Sequence, residues 1–453
     1  MISSCIIVMS KRSLSLFRLL VALIFLYLVT INYWIRYNSK TTTTPTATTA
    51  ITAITSDNTI HRKDASTNDK PKLQPALDDS HNNTWSKVAP NIHDKIPPWL
   101  QEYIQFHKAA IKNAKQHRNA NTKDTNNYLI FFCTSRDELS CSGTANQQRA
   151  IAAALMVSIL TRRVFLIDID RPVRLDQILS PNLIEWNYEW NKTLIKPPSK
   201  HSTNPYLHMT VAGYWTRNVK PHLLESPSQL MPNRSAQVIY IRTNGPATVN
   251  SLWKSNLTRA LLENHHLSNN GKCPEQIYKW FFQVLYKPTN ALIHHMSTIR
   301  KQLFLSVTST YVGIHIRTGD SLFHHKKLKQ HGHGDDELND FVSCANKMKH
   351  QRFGKNVPMV LVTDNSDTRM IVANMDPFIN YVNTTIIHTD LSKPSVNNLE
   401  GNLNVWSDIF LLTQANCTVR SRGSFSELGR RLGATSCSVL VTLCAETNFV
   451  TAP

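Results

Sequence analysis

The pattern of hydrophobic and polar residues predicts an α/β protein, because short apolar runs alternate with stretches of helical periodicity along most of the chain. The run from Tyr128 to Cys133 is continuously apolar, as expected for a strand buried on both faces. An Ala-rich helix from Arg149 to Leu160 and a strand at 163–168 follow it, which completes a β-loop-α-β unit. Before this unit, apolar residues at helical spacing predict an amphipathic helix from Trp99 to about Lys115.

Strands and helices alternate again from Thr310 onward, which indicates a second parallel sheet with covering helices. The remaining predicted strands are 238–242, 310–317, 358–363, 384–388, 417–420 and 438–442. The remaining predicted helices are 280–287, 290–303 with Asn290 as its cap, 337–348, 367–373, 405–415 and one from the Gly423 turn to Gly433.

The strand beginning at Thr310 ends in candidate chemistry. Apolar residues alternate with polar ones along it, so His315 and Arg317 lie together on one face, and Gly319 and Asp320 follow at the break. Arg317 thereby stands at the carboxyl end of a strand, where open α/β sheets bind ligands, and its planar donor fork suits phosphate oxygens. The alternative is a buried strand whose arginine pairs with a carboxylate such as Asp320.

Two further strand ends are expected at the same edge of this sheet, since parallel strands share their direction. Asp364 follows the strand at 358–363, and the turn Gly423-Ser424-Phe425-Ser426 opens a helix after the strand at 417–420. The backbone N–H groups and serine hydroxyls of that turn are suited to receive phosphate oxygens.

The N-terminal region predicts a membrane anchor and a spacer. An apolar run from Leu19 to Ile35 is about the minimum length for crossing a bilayer, and a basic tail at residues 1–18 favours a cytosolic N-terminus. A cleaved signal peptide is the alternative, although no clear cleavage site follows the run. The Thr-rich and polar stretch at 36–95 has few groups that can form a core, so we interpret it as a disordered stem.

The composition indicates a basic protein whose cysteines and glycosylation sequons fit the lumen of the secretory pathway. Lys and Arg total 50 against 31 acidic residues, giving a net charge of +19, which favours anionic partners. No nucleic-acid-binding motif is present, so a sugar nucleotide or an anionic membrane is the better explanation of this charge. Of the eight cysteines, Cys5 is expected to be cytosolic and the other seven to lie in an oxidising compartment, with Cys133–Cys141 and Cys437–Cys444 as possible local bridges. Glycosylation sequons occur at Asn82, Asn191, Asn233, Asn256, Asn383 and Asn416, of which Asn416 is expected to be buried.

The sequence His315-Ile-Arg317-Thr-Gly319-Asp320 resembles the H-x-R-x-G-D element of the GDP-fucose-dependent fucosyltransferases of the α1,2, α1,6 and plant xyloglucan type. Three further matches occur in the same order as in that family: a G-x-G-N-like turn at 143–147 in which Ala145 replaces the second glycine, the Thr-Asp-Asn at 363–365, and the W-x-D segment containing Asp408. The Gly423-Ser-Phe-Ser turn completes the series. The resemblance covers about residues 97–433 and is strongest in the last third.

The resemblance implies a GT-B-like fold of two Rossmann-like domains, an acceptor-side domain at 97–305 and a GDP-fucose-binding domain at 306–453. It also implies inverting, metal-independent transfer of fucose, with GDP-fucose as donor substrate and no separate cofactor. In this interpretation Arg317 neutralises the departing diphosphate, and His315 and Asp320 shape its pocket. The residues expected to bind the nucleotide are Asn146, Arg317, Gly319, Asp364, Asp408, Ser424, Phe425 and Ser426.

The sequence therefore suggests a single-pass Golgi membrane fucosyltransferase with a glycan or glycoprotein acceptor and an α1,2 or xyloglucan-like linkage. Its general base is not identified, since no acidic or histidine residue of the loop after Asp320 matches by spacing. The histidines of that loop, at 324, 325, 331 and 333, together with Asp335 and Asp336, are an alternative metal cluster. A Golgi sulfotransferase and a catalytically inactive glycan-binding or scaffold protein remain as other functions.

Overall fold

A computed structural model describes residues 95–120, 125–134, 143–191, 207–210, 236–242, 255–263, 276–306, 308–318, 335–384, 399–433 and 437–449. All of the described residues belong to one compact unit within residues 75–453. The predicted anchor from Leu19 to Ile35 and the predicted stem up to residue 94 lie outside these ranges. Within the ranges, no helix has the length and apolar character needed to cross a bilayer.

Short buried strands and longer helices alternate along the described chain. The strands are β1 (Tyr128–Cys133), β2 (Val164–Ile169), β3 (Leu179–Pro181), β4 (Leu207–Thr210), β5 (Val238–Arg242), β6 (Tyr286–Pro288), β7 (Val312–Ile316), β8 (Met359–Thr363), β9 (Ile379–Tyr381), β10 (Cys417–Arg420) and β11 (Ser438–Leu440). The α-helices are α1 (Pro98–Asn119), α2 (Thr144–Thr161), α3 (Tyr188–Asn191), α4 (Asn256–Glu263), α5 (Gln276–Leu285), α6 (Asn290–Gln302), α7 (Asp335–Arg352), α8 (Ser366–Met375), α9 (Leu399–Gln414) and α10 (Ser424–Leu432).

Among the described residues these strands form two parallel sheets. The first has the order β2-β1-β5-β4, and the second has the order β11-β10-β7-β8-β9. A two-stranded antiparallel pair, β3 with β6, was not foreseen from the sequence. Every residue of β1, β7 and β8 is buried, which is the expected result when helices cover both faces of a parallel sheet. The mixed α/β fold with parallel sheets is therefore confirmed.

The predicted domain boundary between residues 305 and 306 falls between α6 and β7, and each sheet lies on one side of it. Two C-terminal helices nevertheless contribute to the core of the N-terminal half. Trp406 and Phe410 of α9 and Leu428 and Leu432 of α10 are buried in the same hydrophobic cluster as β1, α2 and α5. The core therefore continues past the predicted boundary through these two helices.

Close backbone approach holds α9 against both the second sheet and α10. A Cβ atom added to Gly429 of α10 would lie 2.8 Å from Cβ of Leu412, and one added to Gly313 of β7 would lie 3.0 Å from Cβ of Ala415. Side-chain carbon atoms do not approach each other this closely without displacement, so both contacts depend on the absence of a side chain. The two glycines thus set the distance between α9 and α10 and the distance between β7 and Ala415, which directly follows α9.

Several element boundaries differ from the predicted ones for local reasons. Thr289, and not Asn290, caps α6, because its hydroxyl accepts a hydrogen bond from Leu292 N at 3.4 Å. The strand predicted at 384–388 is wrong at its start, because Thr384 belongs to no strand. The edge strand is β9, whose Ile379 is buried. Residues 385–388 lie outside the described residues. Helices α2 and α9 begin five and six residues earlier than the predicted Arg149 and Val405.

One of the two disulfides suggested by sequence proximity is contradicted by the structure. Cys344 is bonded to Cys444 and Cys417 to Cys437, so the suggested Cys437–Cys444 bridge is wrong. The reason is strand pairing: β10 and β11 are neighbours, which brings the Cα atoms of Cys417 and Cys437 within 4.7 Å. Cys133 is also disulfide-bonded, and its suggested partner Cys141 lies outside the described residues.

The described sequons differ in accessibility. Asn191 is buried and its side-chain amide donates to a backbone carbonyl at 2.8 Å, so it does not present its amide nitrogen to solvent. Asn416 is exposed, contrary to expectation, although its side-chain oxygen accepts a hydrogen bond from Tyr311 N. Asn256 and Asn383 are exposed as well. The sequons at Asn82 and Asn233 lie outside the described residues.

The substitution Gly429→Ala is expected to destabilise the protein. Helix propensity alone would favour alanine by about 1 kcal/mol. The clash with Leu412 acts in the opposite direction, and such overpacking costs about 1–3 kcal/mol. Chemical unfolding of the two proteins measures the net effect, and an alanine variant that is more stable than the wild type would show that α9 and α10 can move apart freely.

Candidate functional site

The second sheet brings three strand ends together, as the sequence predicts. Strand β7 pairs in parallel with β10 on one side and with β8 on the other, with Ile314 opposite both Val419 and Leu361. The residues that follow these strands therefore meet at the carboxyl edge of the sheet. Such an edge is where ligands bind in open α/β folds.

Arg317 follows β7 at this edge and is partly buried. Its side chain lies against the backbone at Gly423, since a Cβ added there would be 3.5 Å from Arg317 Cδ and 3.7 Å from a terminal guanidinium nitrogen. The predicted juxtaposition of this guanidinium with the turn after β10 is therefore present. A permanent positive charge is placed beside the start of α10.

Ser421, the first residue after β10, connects the strand ends. Its Oγ accepts a hydrogen bond from Arg317 N at 3.0 Å and lies 3.2 Å from Nδ1 of His315. Its backbone N–H donates to the His315 carbonyl, and its own carbonyl accepts from the hydroxyl of Ser426. This buried serine was not identified from the sequence, although it follows its strand just as Arg317 and Asp364 follow theirs.

His315 is buried within the strand and does not lie on an open face, as the alternating pattern had suggested. Its ring stacks on the ring of Phe425, with centroids 5.5 Å apart and an angle of 18° between the planes. Burial, together with the positive charges of Arg317 and Arg420, lowers the pKa of His315 to about 3. The imidazole is consequently neutral at physiological pH.

Asp364 holds the segment that follows β7. Its Oδ1 accepts hydrogen bonds from Thr318 N at 2.8 Å and from Thr318 Oγ1 at 2.9 Å. Thr318 directly follows Arg317, so the carboxylate fixes the backbone next to the guanidinium. The same residue was predicted to bind nucleotide, and in this geometry one of its oxygens supports the adjoining loop. Thr318 was not identified from the sequence.

Helix α10 begins at Ser424 with its first turn directed to the same edge. Its N-cap, Gly423, has no side chain that could accept hydrogen bonds from the first N–H groups of the helix. An anion can accept these hydrogen bonds instead. Ser426 differs from expectation, since its hydroxyl donates to the carbonyl of Ser421 at 3.0 Å and is buried. Its proton is therefore not available to a phosphate oxygen, and the residue supports the turn. Phe425 packs on the core and on His315.

Four charged residues of β10 and α10 form a network with excess positive charge. Glu427 accepts hydrogen bonds from Arg430 at 2.9 Å and Arg431 at 2.7 Å, and it lies 3.4 Å from Arg420. Burial alone would raise the pKa of Glu427, but the two hydrogen-bonded arginines outweigh it and lower this pKa to about 2. One carboxylate thus faces three guanidinium groups, which adds positive potential behind the N-terminus of α10.

Asp408 lies on α9 and is partly buried. Burial raises its pKa to about 7, and the attraction of Arg369 opposes this rise. Arg369 is held in place by a hydrogen bond to the Thr384 carbonyl at 2.9 Å and lies above the Tyr381 ring. Asp408 therefore combines a raised pKa with a fixed cationic neighbour, a combination that is common in ligand sites.

Asn146 is partly buried in the first turn of α2, the helix against which α10 packs. Ala145, which replaces a glycine of the resembled motif, also lies in this turn, and its backbone is helical. A residue with a side chain adopts that conformation without strain. The substitution therefore does not disturb the backbone at this position.

The loop after β7 contains the remaining predicted residues. Gly319, Asp320 and the histidines at 324, 325, 331 and 333 lie outside the described residues. Within the described ranges, no group of three or more His, Cys, Asp or Glu side chains is arranged to hold a metal ion. On α6, His295 hydrogen-bonds Asn404 at 2.7 Å.

Comparison with known proteins gives similarity of fold only. No family model and no curated protein matches the chain. Among solved structures, the chain is similar to an arginine-to-lysine variant of FUT1 from Arabidopsis thaliana in complex with GDP, with 15% identity over 81% of this chain and 85% of that one and a TM-score of 0.50. It is also similar to the fucosyltransferase NodZ from Bradyrhizobium, with 13% identity over 68% and 94% of the two chains and a TM-score of 0.39. The NodZ structure soaked with GDP-fucose is similar with 14% identity over 68% of this chain and 93% of that one and a TM-score of 0.41.

The raised pKa of Asp408 predicts a specific pH dependence of stability. Because the pKa is about 7 in the folded protein and about 3.9 in an unfolded chain, the folded state binds more protons between these values. This residue's contribution to the free energy of unfolding therefore falls as pH rises from about 4 to about 7. We expect Asp408→Asn to stabilise the protein relative to the wild type by more at pH 8 than at pH 5.

Urea unfolding of both proteins at the two pH values measures this difference. Asp367→Asn is the matched control, since it makes the same chemical change at an exposed position of helix α8. A pH-independent effect of Asp408→Asn would contradict the assigned cause.

Proposed function

We propose that this protein is a glycosyltransferase that transfers fucose from GDP-fucose to a glycan or glycoprotein acceptor. The observation that carries the proposal is the placement of Arg317 beside the N-terminus of α10 at the carboxyl edge of a parallel sheet. This geometry suits a diphosphate, because a fixed cation and a helix terminus both attract phosphate oxygens. The fold shared with a fucosyltransferase that was solved with GDP supports the same ligand.

In the proposed reaction the acceptor hydroxyl oxygen forms a bond to the anomeric carbon of fucose with inversion of configuration. The bond from that carbon to the β-phosphate oxygen breaks, and its electron pair leaves with GDP. The acceptor's proton passes to a base that we do not assign. Arg317 and the first turn of α10 stabilise the negative charge on the departing diphosphate, and this preorganised charge takes the part that a metal ion has in other transferases.

The other predicted residues divide into two groups in this proposal. Ser424 of α10, Asp408 of α9 and Asn146 of α2 contact the nucleotide, as does Gly319 of the following loop. Asp364, Phe425 and Ser426 act mainly by holding Thr318, His315 and Ser421 in place. His315 and Asp320 complete the pocket around the diphosphate.

We further propose the GT-B arrangement, with an acceptor-side domain at 97–305 and a donor-binding domain at 306–453. We also propose single-pass anchoring in the Golgi membrane through residues 19–35, with the catalytic part lumenal and an α1,2 or xyloglucan-like linkage. The disulfides of the described region support an oxidising compartment. The net charge of +19 supports an anionic donor.

The substitution Arg317→Ala is expected to lower acceptor-dependent release of GDP from GDP-fucose by about 10²- to 10³-fold, as loss of one transition-state donor commonly does. The assay uses the purified full-length chain with a panel of acceptors ending in galactose or N-acetylglucosamine. GDP-mannose serves as the donor control. Arg174→Ala is the matched arginine control, because Arg174 is an exposed residue of the N-terminal half that pairs with Asp176.

The outcomes distinguish the possible functions. Acceptor-dependent release that is lost in Arg317→Ala and kept in Arg174→Ala would support the transferase and begin to identify the linkage. Thermal stabilisation by GDP without turnover on any acceptor would favour a nucleotide-binding protein without catalysis. The proposal would be refuted if the protein showed no turnover and was not stabilised by GDP.

A further inference from the structure

We propose that Ser421 is a positioning residue that fixes His315 as the tautomer with its proton on Nε2, so that the imidazole presents an uncharged hydrogen-bond donor to the nucleotide. The role of the His315 N–H group in binding nucleotide rests on the proposed function. The tautomer itself is a property of the free protein. Ser421 belongs to none of the motifs that carry the resemblance to fucosyltransferases.

The assignment follows from the hydrogen-bonding capacity of one hydroxyl group. Ser421 Oγ accepts from the Arg317 N–H, which leaves its single proton to be donated elsewhere. Among the described residues, the only other side-chain or backbone partner of this oxygen is Nδ1 of His315, at 3.2 Å. If Nδ1 carried the proton, Ser421 Oγ would accept twice and its own buried proton would have no acceptor there. Ser421 Oγ and His315 Nδ1 are both satisfied when Ser421 donates to an unprotonated Nδ1.

A neutral imidazole with Nδ1 as acceptor carries its proton on Nε2. The pKa of His315, lowered to about 3, keeps the ring neutral across the physiological range. Stacking on Phe425 fixes the ring plane, and the hydrogen bond to Ser421 fixes the rotation within that plane. No described residue hydrogen-bonds Nε2, although His315 is only 4% exposed. A donor at this sheet edge that has no partner among the described residues is suited to an acceptor atom of a bound ligand.

Ser421 acts on the neighbouring residue at the same time. Its acceptance of the Arg317 N–H, its backbone hydrogen bond to His315 and the support from Ser426 place both functional side chains relative to α10. One hydroxyl therefore couples the orientation of the neutral donor to that of the cation. Removing it should affect nucleotide binding through His315 and Arg317 together.

The decisive measurement is magic-angle-spinning NMR of the full-length chain labelled with ¹⁵N-histidine. The His315 signals are identified by their loss in His315→Gln. We expect an unprotonated Nδ1 and a protonated Nε2 in the wild type, and Ser421→Ala should shift both nitrogen signals. A wild-type His315 with its proton on Nδ1 would overturn the proposal, and so would unchanged nitrogen signals in Ser421→Ala.

GDP affinity, measured by calorimetry, provides the second readout. Ser421→Ala should weaken GDP binding by roughly tenfold, as expected for loss of hydrogen bonds that orient the site. Ser421→Thr, which keeps the hydroxyl, should recover most of the affinity. Thr418→Val is the matched control: it removes a buried hydroxyl of β10 that donates to Ser438 and touches neither His315 nor Arg317.

The two readouts separate this inference from the proposed function. A wild-type protein that shows the expected tautomer but binds no GDP would contradict the proposed function alone. A protein that binds GDP and transfers fucose but keeps wild-type affinity in Ser421→Ala would contradict the positioning role alone. Equal losses of affinity in Ser421→Ala and Thr418→Val would reduce Ser421 to a general packing residue and overturn the inference.

Discussion

The parallel hydrogen bonding of β7 with a neighbour on each side is the constraint on which the candidate site depends. Since β10, β7 and β8 run in the same direction, the residues that follow them must emerge at one edge of the sheet. Arg317, Asp364 and Ser421 lie far apart in sequence but occupy equivalent places after their strands. Strand pairing thus brings a guanidinium, a carboxylate and a hydroxyl group to one edge of the sheet, and their hydrogen bonds then fix the local geometry.

The features that followed from local patterns were predictable, whereas those that depend on tertiary contacts were not. Continuous apolar runs located β1 and β8, and alternating apolar and polar residues located β7. The strand-end rule located Arg317 and Asp364. The pairing of Cys417 with Cys437 depends on two strands becoming neighbours, which the sequence does not reveal. The burial of His315 depends on helices that cover both faces of its strand.

Hydroxyl groups were the least predictable part of the site, because a serine can donate in any direction that its surroundings offer. Ser426 has the position expected of a phosphate ligand, yet its hydroxyl donates a hydrogen bond to the Ser421 carbonyl. Ser421 carries no sequence signal beyond its place after β10, yet it contacts both His315 and Arg317. The chemical type of such residues was readable from the sequence, and their partners required the three-dimensional structure.

Both disulfides within the described region fasten the last part of the chain to the second sheet and its covering helix α7. Cys437 and Cys444 flank β11, an edge strand of three residues, and each is bonded to a partner outside that segment. A strand this short has few hydrogen bonds of its own, so the covalent links supply much of its attachment. Recombinant production in a reducing cytosol would leave this edge unsecured and open to pairing with other chains, and an oxidising expression host is therefore the appropriate source of the protein.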